Sequence, residues 1–346
     1  MIINSKIKIG SRYIGKRRPV YIIAEIGSNH NQDLNTALIM IEEAAKTGCD
    51  AVKFQSIKFD EIYLEKRETA AFKKWFRQIE LNEGWYKILA NHSKKNGLDF
   101  ISAPTYLRSI DLLEKINVKS YKLASPQVQG DPRIVERVSK LNKPIFLSMG
   151  YCNISEIKLI IKKFQKYNNK KFIPLHCISN YPAKPEDSNL NFIKNLEKIS
   201  GQPVGFSDHS PGSHLAVAAV ALGACVIEKH VTLNRKSKGP DHHFAMTFKE
   251  FKQMVSEIRD VEKSLKTDHE PIISKEVKEY RSNVELKIFT KNKINKGSKI
   301  KRNDLIFYRT TDKNGLPYSK INKIINMKVK NDIAKETLLD LSVLKK

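Results

Sequence analysis

The chain has 346 residues, of which 40% are hydrophobic and 29% charged, and its formal net charge is +25 at pH 7. This length suits one large α/β domain and a smaller one, because single hydrophobic cores stop growing near ~250–300 residues. No apolar run approaches the ~18 residues that a membrane span needs, and the amino terminus carries no evident targeting signal, so we expect no membrane partner.

The excess of lysine is spread along the whole chain, usually beside asparagine and isoleucine, without a basic stripe that alternates with aromatic residues. A nucleic-acid platform needs such a stripe, so we expect no nucleic-acid partner; an anionic small-molecule substrate suits the charge equally well. The four cysteines are scattered without a C-x-x-C pair, which is typical of reduced thiols and favours a cytoplasmic protein.

Short apolar runs that end in turn residues recur along the first two thirds of the chain, and each predicts a strand. The runs begin at Tyr21, Asp50, Leu98, Ser120, Pro144, Lys171, Gln202 and Cys225. Helical patterns separate most of them, at 35–47, 83–96, 109–116, 132–141, 155–167 and after Pro211. Eight alternating units in roughly 250 residues predict a (β/α)₈ TIM barrel rather than an open doubly wound sheet.

Polar side chains lie near the end of every predicted strand. They are Glu25, Lys53, Gln55, Thr105, Lys122, Ser125, Ser148, Ser179, Ser207, His209, Glu228 and His230. Because an unpaired ionisable group inside a barrel costs several kcal/mol, a full ring of such residues predicts an active-site cup. Its lysines and hydroxyls suit an anion that carries carboxylate and phosphate groups. The alternative for a single strand-end lysine is a structural salt bridge to Glu25 or Glu228.

Two histidines close the last two predicted strands, His209 in Ser-Asp-His and His230 in Glu-Lys-His. The ends of successive parallel strands lie side by side, so the two imidazoles can converge on one divalent metal; otherwise they are isolated residues that cap buried strands. Glu25 and Asp241 of GPDHH add carboxylates for acid–base work or hydroxyl binding. Lys122 is also a candidate for Schiff-base chemistry, although an iminium mechanism needs no metal.

Nine motifs in register extend along nearly the whole barrel region. They are AEIGSNHN (24–31), AVKFQ (51–55), SAPT (102–105), YKLAS (121–125), LSMG (147–150), HCISNYP (176–182), FSDHSPG (206–212), EKHVTL (228–233) and GPDHHF (239–244). In this order they resemble the sialic acid synthase (N-acetylneuraminate synthase) family, including the pseudaminic and legionaminic acid synthases.

The resemblance implies a transferase (EC 2.5.1 class) that condenses phosphoenolpyruvate with an N-acylated aldohexose such as N-acetylmannosamine, giving a nonulosonic acid and phosphate. It implies that His209 and His230 hold Mn²⁺, or else Mg²⁺ or Co²⁺. The implied phosphoenolpyruvate contacts are Lys53, Thr105, Lys122, Ser125, Ser148, Ser179 and Ser207. The implied acceptor contacts are Gln55, Tyr181 and Asp241, with Glu25 between the substrates, and the catalytic set is Glu25, Asp241 and Gln127.

After the barrel region, the sequence predicts a linker and a second domain. We expect a synthase domain at 1–266 with a short N-terminal extension, a linker at 267–283 and a β-rich domain at 284–346. Short strands in ELKIFT, LIFYRT and LLDLSVL, separated by turns, resemble the family's antifreeze-like (SAF) domain. That resemblance implies a homodimer in which this domain covers the partner subunit's active site, with Arg309 as the nearest acyl-contact arginine. The alternative is a module that only aids dimerisation.

Four positions depart from the family pattern. Gln127 stands where a glutamate is usual, so an amide that cannot take a proton replaces a carboxylate. Gln32 replaces a common glycine, Arg309 and Gly315 are farther apart than in the usual loop, and Asn326 replaces a glycine, although asparagine tolerates positive φ. The glutamine at position 127 leaves open the alternative of a synthase for another acceptor sugar. A Schiff-base aldolase using Lys122 and a basic binding protein are the remaining alternatives.

Overall fold

The structure is a computed structural model that describes residues 6–265 and 273–345. The chain divides into two units, Met1–Thr267 and Asp268–Lys346. Of the predicted linker, residues 267–272 lie outside the described residues, and helix α12 (Lys275–Val284) occupies most of the rest. The extent of the predicted domains therefore stays a prediction.

The first unit is built on a parallel sheet. After the hairpin β1 (Lys6–Ile9) and β2 (Arg12–Gly15), its strands are β3 (Tyr21–Gly27), β4 (Ala51–Ser56), β5 (Asp99–Pro104), β6 (Tyr121–Leu123), β7 (Ile145–Ser148), β8 (Phe172–Cys177), β9 (Gly205–Asp208) and β10 (Val226–Thr232). Their order is β5-β4-β3-β10-β9-β8-β7-β6, with a short β11 (Met246–Thr247) beside β10. The end strands β5 and β6 lie against each other, which closes the sheet. The predicted (β/α)₈ barrel is confirmed.

Helices follow the strands and pack outside them. They are α1 (Leu34–Ala45), α2 (Phe59–Ile62), α3 (Ala70–Arg77), α4 (Tyr86–Lys95), α5 (Leu107–Lys115), α6 (Ser125–Gly130), α7 (Pro132–Lys140), α8 (Ile154–Lys166), α9 (Phe192–Ser200), α10 (His214–Ala221) and α11 (Phe248–Ser264). Short 3₁₀ turns lie at Glu65–Arg67, Glu83–Trp85 and Pro185–Asp187. In the described part of the chain, no helix has the length and apolar character needed to cross a bilayer.

The sequence pattern did not predict the helices at 59–77, 125–130 and 192–200. Helix α9 follows Asn191, a residue type that is common at helix starts, but the Asn191 side chain makes no capping hydrogen bond. The segment after β4 instead forms an excursion in which Phe59, Tyr63 and Phe76 pack on one another. Its helix α3 begins at Thr69, whose side chain accepts from the Phe72 N–H.

The barrel interior is apolar at its amino end. Ile23, Ile101, Phe146 and Ile173 belong to one buried cluster together with Ile7, Ile9 and Ile14 of the β1–β2 hairpin. The hairpin therefore plugs the amino end of the barrel, and the polar strand ends are left at the opposite, carboxyl face.

The second unit is a small β-rich module. Strand β12 (Leu286–Thr290) pairs antiparallel with β13 (Leu305–Arg309), and β14 (Lys328–Val329) pairs with β15 (Leu344–Lys345). Between them lie 3₁₀ turns at Arg302–Asp304 and Tyr318–Lys320, and helix α13 (Ile321–Ile324). Eleven buried residues, among them Ile288, Ile300 and Leu339, form its own core. Asn326 has φ +67°, as expected for a residue in the place of a glycine.

The prediction of a single strand in LLDLSVL is wrong. Leu338 makes only an isolated bridge to Phe289, and a regular strand resumes at Leu344. The Asp340 carboxylate accepts from the Ser342 backbone N–H at 2.6 Å, and this local turn interrupts the extended backbone.

Gly205 lies where β9 meets both of its neighbours. A Cβ built there lies 2.6 Å from Leu175 Cδ2 and 2.6 Å from Val226 Cβ. We expect Gly205→Ala to lower the free energy of unfolding by about 1–3 kcal/mol, because a packed interior cannot absorb the added methyl group. Urea titration followed by circular dichroism measures this change. Gly130→Ala is the control, because its built Cβ has no neighbour within 4 Å; equal midpoints for the two variants would contradict the expectation.

Candidate active site

The period of two along each strand determines which side chains enter the cup. On β3, Glu25 follows Tyr21 and Ile23 of the interior cluster at alternate positions. On β4, Lys53 follows Ala51 in the same way, and the register pairs Glu25 with Lys53 and with His230. Both β3 and β4 thus carry apolar side chains toward the amino end of the barrel interior and a charged side chain toward its carboxyl end.

A buried network of charges lies at the centre of the cup. Glu228 Oε1 is 3.0 Å from Lys122 Nζ and 3.3 Å from Lys53 Nζ, and it accepts from Ser207 Oγ at 3.0 Å. Lys53 Nζ is also 3.0 Å from Glu25 Oε1. All five side chains are buried, so each charge is stabilised by its partners rather than by water.

The two carboxyls of this network differ in acidity. Burial raises the pKa of Glu25 above its usual range, although Lys53 partly offsets the effect. Burial acts in the same direction on Glu228, but Lys122 and Lys53 together hold its pKa well below the usual range. Environments that separate two neighbouring carboxyls in this way mark one as a proton carrier and the other as a permanent anion.

The two lysines also differ. Burial lowers the pKa of Lys122, and the nearby charge of Lys53 lowers it further, against the opposing effect of Glu228. For Lys53, burial acts in the same direction but Glu228 and Glu25 outweigh it and raise the pKa. Lys53 therefore stays a cation, whereas Lys122 is the cation that loses its proton more readily.

Hydroxyl groups and a glycine form one wall of the cup. Ser125 Oγ accepts from the Gly150 N–H at 3.0 Å, and Ser148 Oγ is buried without a hydrogen-bond partner among the described residues. A Cβ built at Gly150 would collide with the hydroxyl of Ser179. Only glycine lets the backbone come this close, and the result is a small concave surface lined with donors.

The two histidines of the predicted metal site lie next to each other. The ring centroids of His209 and His230 are 5.4 Å apart. The residue that precedes each histidine explains this placement. Asp208 and Lys229 point away from the cup and form a buried ion pair at 2.6 Å, which holds the ends of β9 and β10 together.

The two imidazoles differ in their hydrogen bonds. His209 Nδ1 lies 2.8 Å from the Ile178 carbonyl oxygen, which can only accept, so the proton is on Nδ1 and the Nε2 lone pair is available. Burial, followed by the charges of His209 and Lys53, holds the pKa of His230 well below its usual range. Its Nδ1 lacks a hydrogen-bond partner among the described residues and lies 3.7 Å from Asp241 Oδ2.

Two neutral imidazoles placed in this way can hold a divalent ion. Burial lowers the pKa of His209, but the neighbouring Cys177 outweighs this effect and raises the pKa, so a bound ion would displace a proton from His209. In the described ranges 6–265 and 273–345, no group of three or more His, Cys, Asp or Glu side chains is placed to hold a metal. A two-histidine site would therefore be open, with the other ligands coming from substrate or water, as catalytic metal sites require.

Predicted acceptor-side residues surround Gly27. A Cβ built at Gly27 would lie 3.3 Å from Asp241 Oδ2, 3.4 Å from Gln55 Nε2 and 3.4 Å from Glu25 Oε1. Gln55 Nε2 donates to Glu25 Oε1 at 2.7 Å, and burial raises the pKa of Asp241. The half-exposed ring of Tyr181 lies 4.3 Å from the His209 ring, centroid to centroid.

Of the remaining predicted site residues, Thr105 and Gln127 belong to the first unit and Arg309 belongs to the second. Thr105 Oγ1 donates to the Ser56 carbonyl at 2.6 Å, a contact between β4 and the end of β5. Gln127 lies on helix α6, and its buried Oε1 has no hydrogen-bond partner among the described residues. Arg309 is an exposed residue at the end of β13 in the second unit.

Glu228 and Gly150 are functional candidates that the sequence analysis noted only as a polar strand end and as part of the LSMG motif, respectively. For each of these two residues, a feature of the sequence could have indicated its role. Glu228 precedes His230 by two residues on one strand, so the two side chains must share a face. Gly150 follows Ser148 and Met149 at a strand end, where a glycine allows close approach of the backbone to a ligand.

The chain is similar in sequence to a known protein family and to several of its members. A family model described as the NeuB family matches residues 40–270. An N,N'-diacetyllegionaminic acid synthase of Campylobacter jejuni is 38% identical over 257 residues, covering 70% of this chain and 77% of the relative. The corresponding synthase of Legionella pneumophila is 32% identical over 351 residues and covers 97% of both chains.

A solved structure agrees with the sequence matches. The N-acetylneuraminic acid (sialic acid) synthetase of Leptospira borgpetersenii, in complex with citrate, superposes with a TM-score of 0.74 at 34% identity. The superposition covers 81% of this chain and 97% of that one. The chain belongs to the NeuB family, the family of the sialic, legionaminic and pseudaminic acid synthases.

Proposed function

We propose that the protein condenses phosphoenolpyruvate with an N-acylated aldohexose and water to give a nine-carbon nonulosonic acid and phosphate. The observation that carries the proposal is the convergence of Lys53, Lys122 and a wall of hydroxyls beside the His209–His230 pair. Relatives named N,N'-diacetyllegionaminic acid synthases and a sialic acid synthetase support it.

The lysine side of the cup binds the anion. Lys53 and Lys122 neutralise the phosphoenolpyruvate carboxylate and phosphate, while Ser125, Ser148, Ser179 and Ser207 offer hydroxyl donors. Without ligand, both ammonium groups lie beside Glu228, which keeps them charged in a buried place. The anion adds further acceptors to ammonium groups that are already positioned.

The chemistry is a carbon–carbon bond formation followed by hydration. The C3 carbon of phosphoenolpyruvate attacks the aldehyde carbon of the open-chain sugar, and positive charge develops at C2. Water adds at C2, and phosphate leaves by cleavage of its C–O bond, which forms the 2-keto group. The alkoxide from the aldehyde gains one proton and the attacking water loses its protons, exchanges that we assign to Glu25 and Asp241.

His209 and His230 would hold a divalent ion, with Mn²⁺ the first choice and Mg²⁺ or Co²⁺ the alternatives. When bound, such an ion supplies Lewis-acid polarisation of the sugar aldehyde. Gln55, Tyr181 and Asp241 orient the acceptor next to it. Gln127 donates or accepts a hydrogen bond there but cannot exchange a proton, which keeps a synthase for another acceptor sugar as the alternative within this class.

The second unit completes the proposal. We assign it as an SAF-like domain that covers the active site of the partner subunit in a homodimer, with Arg309 contacting the acyl group of the acceptor. The exposed position of Arg309 at the end of a strand is compatible with contact to another chain.

A Schiff-base lyase is the second candidate, and one observation favours it. Burial lowers the pKa of Lys122, which is the direction that activates an amine toward a carbonyl. Reduction with borohydride in the presence of substrate separates the two functions. If the protein is a synthase, we expect no covalent adduct at Lys122. Trapping of a substrate-derived adduct at Lys122 would establish that the protein is a Schiff-base lyase.

The histidine pair should be required for metal-dependent turnover. We expect His209→Ala and His230→Ala each to lower phosphate release roughly a hundredfold or more, because Lewis-acid polarisation contributes several kcal/mol. The assay couples phosphate release to a reporter, with phosphoenolpyruvate, a panel of N-acyl hexoses, and Mn²⁺ or a chelator.

The control for this assay is His92→Ala, because His92 lies at the protein surface beside Glu42 on the outer helices. Its turnover should equal that of the wild type. Full activity in either site variant, or undiminished activity with the chelator, would overturn the metal assignment.

Binding of phosphoenolpyruvate should weaken at high pH. The pKa of Lys122 is lowered from 10.5, so its charge disappears as the pH rises through that lowered value. We expect affinity for phosphoenolpyruvate to be full below this pKa and to fall above it. Calorimetric titration from pH 7 to pH 10 measures the change. Lys122→Met should bind more weakly at pH 7 but with a nearly flat profile, whereas an unchanged decline would assign the titration to another group.

Arg309 should act on the acceptor alone. We expect Arg309→Ala to raise the acceptor KM roughly tenfold to a hundredfold, as for a lost hydrogen bond from a charged group, and to leave the phosphoenolpyruvate KM unchanged. Arg302→Ala is the matched control, an exposed arginine of the same unit that bonds Tyr318.

Mixed dimers test the assignment across subunits. Co-expression of Arg309→Ala with His209→Ala, purified through two tags, should restore one intact site per dimer. At acceptor concentrations well below the KM, turnover should then exceed that of either parent. Turnover no higher than the parents would show that Arg309 does not act in trans.

A further inference from the structure

The residues that precede the two histidines belong to a second polar cluster, on the outer side of the barrel wall. Asp208 and Lys229 are directly opposite each other in the register of β9 and β10. Because side chains alternate along a strand, the neighbours of each histidine point away from the cup. The Lys229 ammonium lies 2.6 Å from Asp208 Oδ2 and also donates to the Ser210 carbonyl oxygen. We call Asp208, Ser210 and Lys229 the outer clamp.

The outer clamp holds the chain on both sides of His209. The Asp208 carboxylate accepts from the Ser210 N–H at 2.8 Å and from the Ser210 hydroxyl at 2.6 Å. Lys229 bonds to both Asp208 and Ser210, so the residue before His209 and the residue after it are fixed to the neighbouring strand. His230 follows Lys229 on that strand. The bonds of the outer clamp therefore restrict the movement of one histidine relative to the other.

The ion pair of the outer clamp lies in an apolar layer. On β10, Ile227 and Val231 flank Lys229 at alternate positions, and both belong to the main hydrophobic core, as does Phe206 on β9. The side chains of Lys229 and Asp208 are at most 2% exposed. Removing two charges from water often costs more than their attraction returns, and apolar residues are often at least as stable in such a place. Stability alone therefore does not explain this pair.

We propose that Asp208 and Lys229 are positioning residues, which hold His209 and His230 in fixed relative positions and so raise the affinity of the histidine pair for a divalent ion. This inference rests on the proposed function, because it takes the two histidines as the metal ligands. Residues that orient metal ligands without touching the metal typically contribute roughly tenfold to a hundredfold to metal affinity. The Ile178 carbonyl orients the His209 ring, and the outer clamp positions the backbone that carries this ring.

A double variant removes the ion pair without leaving a buried charge. Lys229→Met keeps the length of the side chain, and Asp208→Asn keeps an oxygen that accepts from the Ser210 N–H. We expect Asp208→Asn/Lys229→Met to keep a melting temperature near that of the wild type. Its Mn²⁺ dissociation constant should rise roughly tenfold to a hundredfold, because His209 is no longer tied to β10. Titration of the chelator-treated full-length protein with Mn²⁺, followed by the electron paramagnetic resonance signal of free Mn²⁺, measures this change.

Single variants and a matched control separate positioning from stability. Lys229→Met alone leaves the Asp208 carboxylate buried and unpaired, so it should lower both the melting temperature and the Mn²⁺ affinity. The control is Asp99→Asn/Lys119→Met, which removes an ion pair of the same 2.6 Å length at the amino end of the barrel. This control should keep the Mn²⁺ affinity of the wild type.

Ser210→Ala provides a milder test that does not depend on the folding of the double variant. It removes one hydroxyl donor to Asp208, so the Mn²⁺ dissociation constant should rise roughly two- to fivefold, the scale of one hydrogen bond. Wild-type Mn²⁺ affinity in Ser210→Ala or in the folded double variant would overturn the inference alone. Absence of Mn²⁺ and Co²⁺ binding by the wild type, or full binding by His209→Ala, would overturn the metal assignment and the inference together.

Discussion

The pairing of Glu228 with Lys53 and Lys122 is the constraint on which the site depends. Two ammonium groups inside a barrel cannot stay charged without a counter-ion, and one buried carboxylate oxygen serves both at 3.0 and 3.3 Å. This arrangement leaves Glu25 as the carboxyl whose pKa rises with burial. In the proposed function, the positions assigned to anion binding and to proton exchange therefore follow from one shared ion pair.

Periodicity made the barrel and the ring of polar strand ends predictable. Alternate positions of β3, β4, β9 and β10 had to face the interior, so Glu25, Lys53 and the two histidines were placed correctly beside one another. The partners within the ring were not predictable, because a lysine side chain is long enough to reach several strands and only the closed barrel decides which carboxylate it meets. Glu228 was therefore noted as a polar end and not recognised as the centre.

Local signals failed where tertiary packing decides the structure. Helix α9 lacks a side-chain capping hydrogen bond. The segment at 59–77 is stabilised by aromatic packing, and its sequence has no strong periodic pattern. In the second unit, a short turn at Asp340 interrupts a run that reads as one strand. The roles proposed for Gln127 and Arg309 involve a bound acceptor or another chain, and no single sequence contains that information.

The plug at the amino end of the barrel has a consequence for biosynthesis. The β1–β2 hairpin is made before the barrel strands, yet its isoleucines share one buried cluster with Val226, a residue of the last barrel strand. Ile7, Ile9 and Ile14 therefore stay uncovered until more than two hundred further residues have been added. Such long-range closure slows folding and exposes an apolar hairpin to aggregation during synthesis.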